Sequence, residues 1–158
     1  MMKTGAVKTI TQGYKPEYAN RIYELETVCF SRAYRWKKQY LVASLKAPTS
    51  NVWFGVYDNK IAGYLLVELE KLNIGHVVSL CVDPIYRQQG FGKALMDEAE
   101  KFLQKTGVKK MRLEVQVDNP AQILYFKLGY RVMGVKQRYY RNGTSGVSMV
   151  KLLKRRSS

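Results

Sequence analysis

The chain has 158 residues, 46% of them hydrophobic and 25% charged, ordinary globular proportions that exclude a collagen, a coiled coil or a disordered chain. Lys and Arg number 27 against 12 Asp and Glu, a formal charge of +15 that draws polyanions and disfavours cationic substrates such as polyamines. No apolar run approaches the ~18 residues of a spanning helix, no secretory signal opens the chain, and two cysteines with one histidine are too few for a disulfide scaffold or a CxxC-type zinc site.

The elements follow in chain order. Residues 6–11 alternate as a short strand, and residues 16–29 place Tyr18, Ile22, Leu25 and Cys29 at helical spacing. A second helical stretch over 31–46 starts with an irregular turn around Ala33 to Trp36 and is closed by Pro48. Residues 51–69 alternate on both sides of Asp58-Asn59-Lys60, predicting two antiparallel strands joined by a polar turn. A third strand follows over Gly75 to Val82. The period then changes: Phe91, Leu95, Ala99, Phe102 and Leu103 form one face of a helix that Gly107 caps. Beyond it come a strand over 110–117, a helix over 120–128 with Asn119-Pro120 at its start, and strands near 130–138 and 147–153. The order predicts one α/β domain over 1–158, a mixed sheet of about seven strands flanked by four helices, with a basic tail at about 151–158. Cys29 and Cys81 read as buried thiols, and the expected compartment is the cytoplasm, away from membranes.

The stretch from Val82 to Ala94 carries the chemistry: a strand ends, a loop turns, and Gly90 and Gly92 open a helix. Glycines let a ligand approach the backbone, and the free N–H groups and dipole of a helix start attract anions, so a diphosphate fits there with Arg87 beside it. A dinucleotide fingerprint needs a third glycine where Leu95 stands, and a nucleotide P-loop needs a different spacing and Ser or Thr where Ala94 stands.

What remains, R/Q-x-x-G-x-G/A after a strand carrying V-D-P-x-Y, is similar to the pyrophosphate signature of the GNAT N-acetyltransferases, supplied here by Arg87 to Gly92. The resemblance covers most of the chain, since the element order and the segment from Asn119-Pro120 to Gly129-Tyr130 follow that family too. Within it, His76 to Ser79, Leu113-Glu114-Val115, Leu124-Tyr125 and Tyr139-Tyr140 resemble the RimI-type and archaeal protein amino-terminal acetyltransferases.

That resemblance implies the GNAT fold, acetyl-CoA as acetyl donor with coenzyme A as product, no metal, and a protein or peptide N-terminus as acceptor. It implies cofactor contacts from Leu80, Cys81, Val82, Arg87, Gln88, Gln89, Gly90, Phe91, Gly92, Lys93, Asn119 and Tyr125. His76 and Glu114 are the candidate bases and Tyr125 the acid that protonates the leaving thiolate. Arg32, Tyr34 and Trp36 on one loop, with Tyr139 and Tyr140 on a hairpin, are the candidate peptide-binding residues. Read from strand alternation alone, Glu114 faces solvent, and Tyr125 can equally be a core aromatic.

Three departures stand out. Phe30-Ser31-Arg32-Ala33-Tyr34 puts Arg32 where archaeal relatives reading L-P-E-N-Y carry a glutamate, which reverses a charge and favours acidic or small first residues. Glu114 and Tyr125 stand one residue closer than in the RimI-like pattern, and Gly92 replaces the alanine of some relatives. Two other readings remain open: an acetyltransferase acting on lysine side chains or small amines, and a non-catalytic module binding CoA or RNA. The basic surface is also compatible with ribosome or RNA contact, and the sequence does not fix the oligomeric state.

Overall fold

The computed structural model describes residues 8–32 and 34–154. Ala6 and Val7 of the first predicted strand, Ala33, and the tail residues 155–158 lie outside the described residues. In chain order the elements are β1 (Lys8–Gln12), α1 (Ala19–Cys29), α2 (Lys38–Lys46), β2 (Ser50–Tyr57), β3 (Lys60–Glu70), β4 (Ile74–Val82), α3 (Phe91–Lys105), β5 (Lys110–Gln116), α4 (Ala121–Lys127), β6 (Arg131–Lys136) and β7 (Gly146–Leu152), with 3-10 turns at Pro16–Tyr18 and Pro84–Tyr86. The seven strands form one mixed sheet in the order β1-β2-β3-β4-β5-β7-β6. The expected α/β architecture is present. The second helix is shorter than expected: it starts at Lys38, because Arg32 and Tyr34 lie in turns and Arg35 to Lys37 in irregular backbone, Lys37 being extended. Asp58 and Asn59 turn the β2–β3 hairpin with φ of 47° and 63°, the left-handed pair a two-residue hairpin needs.

Each face of the sheet buries one set of alternating residues. Val52, Phe54, Tyr64 and Leu66 pack under α1 and α2, around Ile22, Leu25, Leu41 and Leu45. Trp53, Leu65 and Val67 point the other way, onto Leu95, Met96, Ala99 and Leu103 of α3. Those four α3 residues are fully buried, and side chains of that size contribute about 1.5–3 kcal/mol each where they are leucine or methionine.

Two irregularities in β4 shape the sheet around the site. Leu66 pairs with Ser79 but Val67 pairs with Val77, so Val78 is an extra residue and β4 carries a bulge. Val77 therefore joins the α3 side, whereas Val78 packs on the α1 side. Ser79 bonds there to Glu26 of α1. The parallel pairing of β4 with β5 covers only Ile74–Val77 against Lys110–Leu113, although β4 continues to Val82 and β5 to Gln116. The strands part beyond Val77 and Leu113, and the sheet opens where its centre would otherwise be closed.

Candidate active site

Two cavities occupy that opening. The larger, about 630 Å³, is lined by β4 from Leu80 to Val82, by the β4–α3 loop, by the start of α3 and by Asn119 to Tyr125. Asp83 shapes the loop: its carboxylate accepts from Ile85 N (3.1 Å) and from Arg21 Nη2 of α1 (2.9 Å). Arg87 folds back to donate from Nε to the Val82 carbonyl (2.9 Å). Gln88 and Gly90 then take positive φ, 59° and 84°, which turns the chain into α3. The first helical bond is Ala94 N to Gly90 O, and no backbone N–H from Gln88 to Lys93 finds a partner among the described residues. Six successive unsatisfied donors at the start of a 15-residue helix make a cradle for an anion. A side chain at Gly92 would meet Leu124 Cδ2 at 3.2 Å, so α4 closes over this cradle.

The second cavity, about 410 Å³, lies between the parted strands. Its floor carries a charged network. His76 Nε2 and Glu114 Oε2 are 2.8 Å apart; Arg112 Nη1 and Lys136 Nζ both donate to Glu114 Oε1, at 2.6 and 2.7 Å. Arg112 also forks onto Glu70, whose Oε1 lies 3.5 Å from His76 Nδ1. The alternation-based expectation of a solvent-facing Glu114 is corrected: only 4% of its side chain is accessible, because β6 and β7 extend the sheet past it and Lys136 reaches over it. Burial pushes the Glu114 carboxyl up, but the hydrogen bonds from His76 and Lys136 and the charges of His76 and Arg112 outweigh it and hold it at about 2.

The walls are aromatic. Tyr34 and Trp36 come from the α1–α2 loop, Tyr139 and Tyr140 from the β6–β7 hairpin, and all four line the cavity. Loop and hairpin are latched: Tyr34 Oη donates to Thr144 Oγ1 (3.0 Å) and accepts from Asn142 Nδ2 (2.7 Å), while the Tyr34 and Tyr140 rings meet edge to face at 5.1 Å. Below the loop, Glu26 is fully buried and bonded to Tyr64 Oη, Ser79 Oγ and Trp36 N. Burial raises its carboxyl above the ordinary range against the hydrogen bonds from Tyr64 and Trp36.

Leu80, Asn119, Ala121 and Tyr125 line both cavities, so the two meet there. Tyr125 is 7% exposed, and burial pushes its phenol up to about 12. Asn119 Oδ1 accepts from Ala121 N (2.8 Å), starting α4 one residue later than the predicted Pro120.

Of the expected cofactor residues, Leu80, Cys81, Val82, Arg87, Gln88, Gly90, Phe91, Gly92, Lys93, Asn119 and Tyr125 line the larger cavity. The Gln89 side chain does not, and its Oε1 is buried without a partner; Gln89 belongs to the cradle through its backbone N–H. His76, Glu114 and Tyr125 share the smaller one. Arg32 is exposed in the turn before Tyr34 and lines neither cavity. The two cysteines are not separate buried thiols either. Cys29, ending α1, and Cys81 of β4, with Cα atoms 6.2 Å apart, form a disulfide. The antiparallel hairpin of β3 and β4 under α1 brings together residues that are 52 apart in sequence.

Sequence reasoning missed Glu26, Glu70, Glu68, Arg112 and Lys136. Glu26 left a trace, a carboxylate at i+4 from Ile22 within the apolar stripe of α1. The others are cross-strand partners, and only the register of β3, β4, β5 and β6 reveals them.

Among the described residues no group of His, Cys, Asp and Glu is placed to hold a metal, and no helix is long and apolar enough to cross a membrane. Residues 19–130 match the model of the acetyltransferase (GNAT) family. An N-alpha-acetyltransferase of Sulfurisphaera tokodaii is 30% identical over 70% of this chain and 74% of its own. A [ribosomal protein bS18]-alanine N-acetyltransferase of Haemophilus ducreyi is 30% identical over 77% and 81%. The fold matches that of the ribosomal-protein-S18-alanine N-acetyltransferase of Escherichia coli with a TM-score of 0.84, at 23% identity over 96% of this chain and 97% of that one. The matched residues include the anion cradle and the parting strands β4 and β5, and the chain belongs to the GNAT family of acetyltransferases.

Proposed function

We propose that the protein, acting as a single domain in the cytoplasm, transfers the acetyl group of acetyl-CoA to the free α-amine of a protein N-terminus. The observation that carries this reading is the meeting of the two cavities at Leu80 and Tyr125, one offering backbone donors to a diphosphate and the other an acid–base network behind aromatic walls. The names of the relatives, which act on N-termini, point the same way.

The residues present fit the cofactor. The donors of Gln88 to Lys93 suit its diphosphate. The edge of β4 beyond Val77, unpaired toward β5, suits its amide-bearing arm. When bound, acetyl-CoA supplies an activated acetyl thioester. The chain's own groups do the rest. An α-amine has a pKa near 8 and arrives largely as ammonium. Glu114, ionised at any working pH, attracts that cation but, held at about 2, is too weak to keep its proton. His76, hydrogen-bonded to Glu114, is the group that relays the proton, directly or through one water. Glu114 is then its positioning partner, fixing the ring and stabilising the imidazolium. N–H groups of β4 beside Leu80 offer donors to the carbonyl oxygen under attack. Tyr125, protonated across the neutral range, offers its phenolic hydrogen to the departing sulfur.

The test is thiol release from acetyl-CoA over short peptides with free N-termini, against N-terminally blocked peptides that carry lysine. Turnover confined to free N-termini is expected. Turnover of the blocked lysine peptides instead would move the activity to side-chain amines, and turnover of neither would leave a small-molecule acceptor or a binding module.

A further inference from the structure

The charge of this protein is segregated around the smaller cavity. Of its twelve carboxylates, none falls between Thr27 and Tyr57 and none follows Asp118. Those two stretches contain both aromatic walls: the α1–α2 loop and the β6–β7 hairpin. Tyr34 and Trp36 stand among Arg32, Arg35 and Lys37, and Tyr139 and Tyr140 stand between Arg138 and Arg141. None of these five cations forms an ion pair among the described residues, and Arg35 Nε is buried with no hydrogen-bond partner. The floor differs: Glu114 and Glu70 are already bridged by Arg112, Lys136 and His76, and Glu68 is a lining carboxylate with no ion pair among the described residues. The latch from Tyr34 to Thr144 and Asn142 holds the two cationic walls together over that floor.

An amine finds hydrogen-bond and charge partners in Glu68 and the Glu114–His76 pair, and a chain of carboxylates is held by such a rim. An extended peptide advances about 3.3–3.6 Å per residue, so with its amine on the floor its third to sixth residues lie roughly 7–18 Å out, along the walls and onto the rim. Resting on the reading of the site as an N-terminal acetyltransferase, we infer that the groove selects N-termini followed by acidic residues, read by the cations of both walls rather than by a pocket for the first side chain. This moves the charge preference from the first residue to the residues downstream, with Arg32 acting as one of the rim cations rather than as the wall of a first-residue pocket.

The experiment uses peptides with one common N-terminal dipeptide followed by four acidic, four neutral or four basic residues. Turnover is measured by thiol release. Binding of the N-acetylated versions, without acetyl-CoA, is measured by fluorescence anisotropy. The expected order of kcat/KM and of affinity is acidic, neutral, basic, with at least a tenfold span at low salt that shrinks by most of its size at 0.5 M. The double variant Arg138→Glu, Arg141→Glu, both exposed on the hairpin, reverses the order while leaving kcat for a dipeptide amide unchanged. Equal turnover and binding of all three series, or preference for the basic one, overturns the inference. So does displacement of the acidic peptide by polyuridylate that binds more tightly, which would make the rim a nucleic-acid surface. Failure of the underlying reading is separate: no free-amine peptide is then acetylated, although the binding order still scores the rim.

Discussion

The two cavities that meet at Tyr125 are built from different material. The larger draws its chemistry from the backbone, six unpaired N–H groups in one continuous segment, Gln88 to Lys93. The smaller draws it from side chains on β3, β4, β5, β6, the α1–α2 loop and the β6–β7 hairpin. A backbone site needs only a turn and a helix start, so its geometry is local; a side-chain site of this kind exists only once the sheet has its register. The first should tolerate side-chain change and resist everything except altered backbone, and the second should fail by single residues.

The largest expected effect sharpens that contrast. Glu114→Gln keeps the shape of the floor but leaves Arg112, Lys136 and His76 without their shared carboxylate. We expect kcat/KM for peptide to fall by about 10²–10⁴, with coenzyme A affinity changed less than twofold by calorimetry. A large loss of coenzyme affinity would show that the cavities are not independent. The same carboxylate sets a pH signature. Its folded value, about 2, lies below the ordinary carboxylate value, so the unfolded chain takes up the proton first. The stability it contributes is complete above about pH 4.5 and is lost as pH falls toward 2. Urea midpoints between pH 6 and pH 3 should therefore fall more steeply in the native protein than in Glu114→Gln.

Reduction of the Cys29–Cys81 bond comes next. Closing 52 residues in the unfolded chain is worth about 4 kcal/mol in the chain-entropy account. Urea unfolding with and without a reductant should differ by that order, whereas the acid-limb difference between native and Glu114→Gln should persist. Smaller again is Gly90→Ala. No atom lies within 4 Å of the added carbon, so its cost is the left-handed φ of 84° alone, about 1–2 kcal/mol. Coenzyme affinity should drop roughly tenfold while the pH dependence of kcat stays in place; a shifted pH profile would tie the loop to the proton relay. Smallest is Tyr34→Phe, which removes the latch to Thr144 and Asn142. A rise of a few fold in peptide KM at constant kcat is expected.

The same contrast explains what could be read in advance. The anion cradle was legible because its determinants, Arg87, Gly90 and Gly92, lie close together in the chain, Gly90 where φ is 84° and Gly92 where α4 comes close. The element order was legible through its changes of period, and the hairpin through Asp58-Asn59. His76, Glu114 and Tyr125 were picked out by family likeness, but their surroundings were not legible. The bulge at Val78 shifts the phase of β4 without any glycine or proline to announce it. Lys136 reaches Glu114 across β7, 22 residues along the chain. The exposure of Arg32 was not legible either, because the irregular course of a loop is not set by spacing in the sequence. The disulfide escaped for the reason long-range pairs do: spacing in sequence says nothing about proximity in space.

The short seam between β4 and β5 has a further consequence. Among the described residues, four residue pairs, Ile74–Val77 against Lys110–Leu113, are all the sheet pairing that joins the first four strands to the last three. The sheet is two leaves bound along a short spine. A molecule seated in the opening touches both, and its binding energy becomes cohesion between them: a hundredfold excess over Kd adds about 2.7 kcal/mol to the folded state. The amides of Val78 to Val82 and Glu114 to Gln116 should then exchange with solvent more slowly as the site fills. The architecture that leaves room for the reaction also makes the protein's rigidity a measure of how well it is supplied.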